Sequence, residues 1–200
     1  LPNGDLVVGG AFTTAGGGAA NHVARWNGTA FQPLGGGTDG VVFALAVLQN
    51  GDLVVGGAFT QAGGVPAPGV ARWDGTAWSS LAGVGMSTVQ TLHVLGNGDL
   101  IVGGSSLQRW DGSQWQSLGF TANGSVNAVR ALPNGDLFAC GSFTTVNGVT
   151  MNRAARYDGS SWSALGSGLS SSFSPIVWTA TVLANGEVVV GGRIQSAGGR

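Results

Sequence analysis

The chain has 200 residues, 43% of them hydrophobic and only 8% charged, against ~25% charged in an ordinary soluble domain. Its net charge is −1 and its basic residues are eight scattered arginines, which leaves no basic face for a nucleic acid. The longest apolar runs have strand length, far below the ~20 residues of a spanning helix, so no membrane insertion is expected.

Taken in chain order, the residues fall into short β-rich runs separated by glycine turns. The first run, 5–10, follows Leu1-Pro2-Asn3-Gly4. The next clear set begins with Val41–Val47, passes the turn signal Gln49-Asn50-Gly51 and continues over 52–55. Asn-Gly between two such runs predicts a tight hairpin with a type I′ turn, which needs positive φ at both central residues. A loop, then 70–73, then Asp74-Gly75, then 76–81 complete the set, with Asp-Gly and its variant Asn27-Gly28 read as a second tight hairpin. No segment shows capped helical periodicity.

This set recurs. Leu-x-Asn-Gly-Asp/Glu followed by an apolar run starts near 1, 48, 95, 132 and 183, at spacings of 47, 47, 37 and 51 residues. A period near 40–50 residues with four strands per unit predicts a β-propeller of four-stranded antiparallel blades. With the strands of a blade lettered a to d, the sequence begins at a strand b. It then runs through three complete blades (41–81, 88–118, 125–165) and ends with strands a and b over 176–192. Without an initiator methionine and stopping inside a repeat, residues 1–200 read as one propeller domain or a piece of one. Strand 176–182 is able to supply the strand a missing from the first blade, but a surplus strand b would remain, so a larger ring is expected.

The order Gly56-Gly57, Trp73-Asp74, Trp78, repeated as Cys140-Gly141, Tyr157-Asp158, Trp162, resembles kelch repeats. The stretch from Gly9 to Gly17, running on to Val23-Ala24-Arg25-Trp26, also looks like the delta-60-type repeats of secreted bacterial proteins. The resemblance covers the whole chain and implies architecture rather than activity, since such propellers host enzymes, lectin-like modules and protein platforms alike.

Most of the recurring residues read as scaffold. The glycine pairs are expected to remove side chains where a neighbouring blade or an indole must come close. Trp26, Trp73, Trp110 and Tyr157, with Phe31, Trp78, Trp115 and Trp162, are expected to fill the space between blades, each burying ~150–250 Å². Stacking platforms for sugars are the functional alternative. Asp5, Asp52, Asp99 and Asp136 start strand b and Arg25, Arg72, Arg109 and Arg156 end strand c, which predicts four partly buried cross-strand bridges. A calcium ring is the sharper alternative, but one carboxylate per blade is thin ligation. Cys140 replaces the first glycine of a pair and reads as a packed small residue. His93 aligns with Ala46, Arg130 and Thr181 and is expected to meet solvent in the central channel. Asn27-Gly28-Thr29 and Asn123-Gly124-Ser125 match glycosylation sequons but also read as turns.

In an up-down-up-down blade the a–b and c–d turns share one face, and the b–c and d–a connections share the other. The variable segments are the b–c loops (13–22, 60–69, 105–106, 144–153) and the d–a loops (35–40, 82–87, 119–124, 166–175), so variation gathers on one rim. Residues that interrupt the repeat there, His22, Asp39, Met86, Phe120, Met151, Arg153 and Phe173, are the candidate contacts. No catalytic residue, cofactor or metal is expected. Asp39 is the only acidic residue outside the framework, and one tyrosine is too few for a copper oxidase of the kelch-like class.

The expected function is a non-catalytic, extracellular or cell-surface bacterial scaffold whose variable rim meets a protein or a surface glycan. The alternatives are a piece of a polysaccharide-acting propeller enzyme, with its catalytic residues elsewhere, and a structural repeat of a surface fibre. Self-association through the incomplete terminal blades is a further expected contact.

Overall fold

The computed structural model describes residues 1–170 and 175–197, and these residues form strands but no helix. Three four-stranded antiparallel sheets are complete. Blade 2 comprises strand a Val41–Val47, b Leu53–Ala58, c Val70–Trp73 and d Trp78–Ser80; blade 3 comprises Val89–Val94, Leu100–Gly104, Ser106–Trp110 and Trp115–Thr121. Blade 4 comprises Val126–Ala131, Leu137–Gly141, Ala154–Tyr157 and Trp162–Ala164. Among the described residues, blade 1 has b Leu6–Gly9, c Val23–Trp26 and d Phe31–Pro33, and blade 5 has a Ile176–Val182 and b Val188–Arg193. Ile176–Val182 pairs with its own strand b and not with Leu6–Gly9, so the ring stays open among the described residues.

Strand order within a blade is a-b-c-d, and the a strands of successive blades pack side by side. Apolar residues from one blade meet those of the next in four clusters; Val54 and Val70 of blade 2, for example, join Val89, Leu92, Leu100 and Val102 of blade 3. Each blade therefore buries its faces only against its neighbours, the arrangement that makes repeat stability a sum of local interfaces.

The glycine pair explains itself in this packing. A Cβ at Gly9 or Gly56 would stand 2.6 or 2.5 Å from Cγ1 of Val42 or Val89, at the start of strand a in the next blade. The second glycine departs from the expectation of a neighbouring blade or an indole and faces its own strand a: a Cβ at Gly57, Gly104, Gly141 or Gly192 would collide with the carbonyl of Val41, Thr88, Ser125 or Ile176. Opposite each pair strand a is bulged, as Val42 faces Gly57 and Ala44 faces Gly56 with Phe43 left over. A bulge throws one side chain out of the ladder's alternation, and every strand a carries one there: Phe43, Gln90, Asn127 and Trp178.

In blades 2 to 4 the aromatic pairs fill the gaps between blades as expected, whereas Phe31 of blade 1 is exposed. Trp73 and Trp78 lie 5.3 Å apart by ring centroids, Trp110 and Trp115 5.2 Å, Tyr157 and Trp162 4.9 Å. The strand-d indole reaches back to the preceding blade: Trp78 Nε1 donates to the Leu34 carbonyl at 3.0 Å, Trp115 Nε1 to Ala82 at 3.0 Å, and Trp162 Nε1 to Leu118 at 2.8 Å. The pattern gives a large ring an apolar face to bury and its one donor a partner.

All four predicted Asp–Arg bridges form. Asp5 Oδ2 meets Arg25 Nε at 3.3 Å, Asp52 Oδ2 meets Arg72 Nη2 at 2.5 Å, and Asp99–Arg109 and Asp136–Arg156 pair likewise. Arg72 stands opposite Val54, two residues along from Asp52, so the bridge is a diagonal cross-strand contact. Each aspartate also accepts from the asparagine of its own Asn-Gly turn, at 2.6–2.9 Å.

The turns differ from the sequence expectation. Asn3, Asn50, Asn97, Asn134 and Asn185 do not have positive φ; only the glycine after each does, at 85–94°. Gly51 N donates to Leu48 O at 2.9 Å and Leu48 N to Asp52 O at 2.8 Å, giving a three-residue loop whose last residue is a left-handed glycine. The c–d turns are four-residue loops organised by a side chain: Asp74 Oδ1 accepts from the Thr76 amide, the Thr76 hydroxyl and the Ala77 amide, each at 2.8 Å. Type I′ turns do occur, but inside the b–c loops. There Gly16-Gly17, Gly63-Gly64 and Asn147-Gly148 have positive φ at both positions. They close two-stranded ribbons, Thr14–Ala15 with Gly18–Ala19, Gln61–Ala62 with Val65–Pro66, and Thr145–Val146 with Val149–Thr150. These segments are therefore structured hairpins rather than plain loops, and blade 3 has none.

The two rims separate as expected. On the turn rim, Gln49 of one a–b turn donates to Gly96 O of the next at 3.0 Å. On the loop rim, ribbons of one blade bond to the d–a loop preceding it, through the bridges Thr38–Ala62 and Ala122–Val146 and the pairing of Leu169–Ser170 with Ser196–Ala197.

Candidate functional site

The expected rim contacts divide by burial. Met86, Phe120 and Met151 are at most 5% exposed, so they are corrected from surface contacts to loop packing. Phe120 stacks edge-on against Phe143 at 5.3 Å and Trp162 at 4.6 Å, closing the gap beneath the d–a loop of blades 3 and 4. Met86 packs under the short b–c corner of blade 3, with its sulfur 3.4 Å from where a Gly104 Cβ would stand. Apolar side chains on thin loops gain more from filling such gaps than from facing water. Phe173 lies outside the described residues.

Asp39 is exposed but committed. Its carboxylate accepts from the Thr60 amide at 2.7 Å, the Gln61 amide at 2.8 Å and the Thr60 hydroxyl at 2.5 Å, tying the d–a loop to the ribbon of blade 2. These bonds, the Thr60 hydroxyl's first, hold its pKa below the ordinary carboxylate value. Asn123 repeats the device in blade 4 with bonds from the Thr144 and Thr145 amides at 2.8 and 3.0 Å.

His22 and Arg153 occupy one structural position, the residue before strand c, where blade 2 has Gly69. All three have positive φ, 63°, 68° and 75°. The reason is a shared pair of bonds: the residue's amide donates back to Phe12, Phe59 or Phe143, and its carbonyl accepts from Gly10, Gly57 or Gly141. Side chains there carry the left-handed cost that glycine avoids. Both are half-buried and engaged, His22 Nδ1 lying 3.2 Å from Gly10 O and Arg153 donating to Pro175 O at 3.0 Å.

The feature that brings variable residues together is one the loops did not reveal. The bulged residues of the four a strands converge at the loop-rim ends of those strands. Phe43, Gln90, Asn127 and Trp178, with Ser125, Ser142 and Ile176, line an open bowl of about 450 Å³. Phe43 is 47% and Trp178 58% exposed, large apolar surfaces that a folded domain ordinarily hides. The Gln90 amide makes no hydrogen bond within the described protein. Asn127 Nδ2 donates to Val177 O at 2.8 Å, which leaves its carbonyl oxygen open, and the Ser142 hydroxyl accepts the Ser125 amide at 3.0 Å while keeping its own proton to donate. None of the lining residues is charged. The sequence signal existed: between near-constant neighbours, this one position in strand a reads Phe, Gln, Asn and Trp.

Deeper in the same strands, His93 departs from the expected solvated residue. It is half-buried and its Nε2 accepts the Ala131 amide at 3.0 Å, bridging blades 3 and 4. Burial, and next the Arg130 charge, hold its pKa below the usual 6.5, which suits a neutral acceptor. Cys140 is fully buried against the cluster containing Val177, and burial pushes its thiol up to about 12, far from the reactive range. The framework carboxylates are taken up by arginine and asparagine. Among the described residues no group of three acidic, histidine or cysteine side chains stands close enough to hold a metal ion.

The comparisons agree with this architecture. A family described as a domain of unknown function, DUF5122, β-propeller, matches residues 1–28 and 48–73. Among curated proteins no sequence matches the chain. The structure is similar to the WD40 β-propeller domain of Doa1, with a TM-score of 0.58 at 16% identity over 86% of this chain and 54% of that one. It is also similar to the extracellular domain of BT3049 from B. thetaiotaomicron, a hybrid two component system protein. There the TM-score is 0.63 at 10% identity, over 96% of this chain and 26% of that one. The chain thus spans about half of the first relative and about a quarter of the second. No helix among the described residues is long and apolar enough to cross a membrane. By fold, the chain is a β-propeller built from four-stranded repeats.

Proposed function

We propose that this propeller is a non-catalytic, extracellular binding scaffold whose loop-rim bowl receives an uncharged glycan. One observation carries the reading: two exposed aromatic rings, Phe43 and Trp178, share an uncharged bowl with the unengaged amide of Gln90, the Asn127 carbonyl and the Ser142 hydroxyl. A sugar ring offers apolar C–H faces and a fringe of hydroxyls that both donate and accept, which such a lining satisfies without a desolvated charge. Recognition sites of this kind are largely apolar with a few placed polar groups.

Three further points support the assignment. The bowl lacks the paired carboxylates that glycoside hydrolysis uses, so binding without turnover fits its lining better. The similar extracellular domain of BT3049 favours a location outside the cell. Within propellers, the order of glycine pair, aromatic and tryptophan favours the kelch-like or delta-60-type repeats of secreted bacterial proteins.

A glycan array probed with the labelled chain tests the proposal. Saturable binding to neutral oligosaccharides, lost in Phe43→Ala with Trp178→Ala, is expected. Exclusive binding to charged glycans, or no binding across the array, would overturn it in favour of a protein partner. Shortening of a bound oligosaccharide during incubation would overturn its non-catalytic part.

A further inference from the structure

The loop rim is walled on the blades either side of blade 3 and open on blade 3 itself. Between strands b and c, blade 2 spends residues 59–69 and blade 4 residues 142–153, and each connection folds into a ribbon, Gln61–Ala62 with Val65–Pro66 and Thr145–Val146 with Val149–Thr150. In blade 3 strand b ends at Gly104 and strand c starts at Ser106, so Ser105 alone makes the connection. The gap lies within the run of complete blades.

The rim edge beneath the gap is a row of free hydroxyls. Strand order a-b-c-d sets Thr88, Ser105, Ser106 and Thr121 in sequence, from strand a, where successive blades pack side by side, outward to strand d. Thr88 and Ser105 are neighbours: Val89 pairs with Gly104, and a Cβ at Gly104 would stand 2.3 Å from the Thr88 carbonyl. Ser106 pairs with Thr121. Thr88 and Ser106 are half-buried, Ser105 and Thr121 are exposed, and none of the four hydroxyls makes a hydrogen bond within the described protein. Because no buried polar side-chain atom among the described residues lacks a partner, all four meet solvent. With neighbouring strands ~5 Å apart, the row spans ~14 Å. At its outer end Asn147 of the blade 4 ribbon accepts the Thr121 amide at 3.0 Å, so the row stops at the foot of that wall.

The row continues the bowl. Thr88 and Ser105 hold in blade 3 the places that Ser125 and Ser142, two of the bowl's lining residues, hold in blade 4, as the matching registers Val89–Gly104 and Val126–Gly141 show. From the gap and its floor, and resting on the glycan reading above, we infer that the ligand is an extended neutral chain of several sugars that runs from the bowl outward over blade 3. A ribbon at this place would block the next sugar of the chain. Without one, the chain passes Gln90 and lies along the four hydroxyls. Each hydroxyl both donates and accepts, so it meets a sugar's fringe in either sense. The row holds no ring and no charge. Phe43 and Trp178 therefore fix which sugar sits in the bowl, and the row adds affinity that grows with chain length.

The test is a calorimetric titration of the full chain with the neutral oligosaccharide best bound on the array, in lengths from disaccharide to hexasaccharide. Affinity should rise tenfold or more from disaccharide to pentasaccharide and then level off, once the ligand has outrun the row. In the variant Ser105→Ala, Ser106→Ala, Thr121→Val the same series should gain threefold or less. The long-to-short ratio is read within one protein sample, so a change in the variant's stability does not imitate the effect. Hydrogen exchange should show residues 104–106 protected by the hexasaccharide and not by the disaccharide. Equal affinity at every length, a gain untouched by the substitutions, or protection at 61–66 instead would sink the inference and leave the glycan reading standing. Failure to bind at any length would remove that reading and this inference with it.

Discussion

The two rims of this propeller are held by different kinds of bond. On the turn rim blades 1 to 4 repeat one local device: an Asn-Gly-Asp turn whose asparagine and carboxylate bond each other, with an arginine of strand c over the carboxylate. On the loop rim the bonds run between loops and are not shared by every blade: Asp39 to Thr60 and Gln61 is matched by Asn123 to Thr144 and Thr145, Asn21 to Gly36 is matched by Asn152 to Ser167, and Asn147 to Gly119 has no counterpart among the described residues. Repetition on one side makes each blade self-sufficient, and variation on the other is possible because the local devices do not depend on it. The bowl opens on the side that is free to vary.

The largest effect should come where the two systems meet, at the second glycine of the pair. Gly141→Ala drives a Cβ into the Ser125 carbonyl, a backbone atom that cannot swing aside. A loss of about 3 kcal/mol or more is expected in denaturant unfolding, at the upper end of overpacking costs. Next is the turn rim: Asp52→Ala removes a buried carboxylate from a half-exposed arginine, and should cost about 1–2 kcal/mol after allowance for solvent screening. Because the bridges of blades 2 and 4 are separate, Asp52→Ala and Asp136→Ala should add, and a strongly non-additive pair would break the picture of self-sufficient blades. On the loop rim, Asp39→Ala should leave global stability nearly unchanged. It should speed hydrogen exchange at Thr60 and Gln61 while the turn rim stays protected.

The smallest effect concerns acid. Asp74 and Asp111 have pKa values lowered to about 2, and Asp158 is lowered as well, chiefly by the amides of Ala77, Gln114 and Ser161. A carboxyl with a lower pKa in the folded than in the unfolded state stabilises above the unfolded value near 3.9, and that contribution is lost as pH falls toward 2. Melting temperature should therefore hold from pH 7 to 5 and fall below about pH 4. Converting all three to asparagine should reduce the fall, because Asn27 already makes the same three bonds in blade 1 at 2.8–3.0 Å.

The blade order was readable because the glycine pairs, aromatics and charges recur at fixed offsets, and a strand's period of two converts offset into contact. Arg72 and Asp52 could be paired for that reason alone. The turns were misassigned because Asn-Gly was credited to a type I′ turn. The asparagine instead keeps negative φ and spends its side chain on the aspartate, while the true type I′ turns lie at Gly16-Gly17, Gly63-Gly64 and Asn147-Gly148. Met86, Phe120 and Met151 interrupt the repeat, as surface contacts would, yet a thin loop buries apolar side chains beneath itself. The bowl was missed because variation was sought in loops, whereas a bulge delivers it from inside a strand whose other positions are constant.

The central claim is that the blades hold the fold while the bulged residues hold the ligand. The direct measurement is a calorimetric titration of the best-bound neutral oligosaccharide into the chain and into a variant with Phe43, Gln90, Asn127 and Trp178 all changed to alanine, alongside thermal unfolding of both. The account predicts a melting temperature within a few degrees of the parent and no detectable binding. Retained binding, or unfolding of the variant, would contradict it.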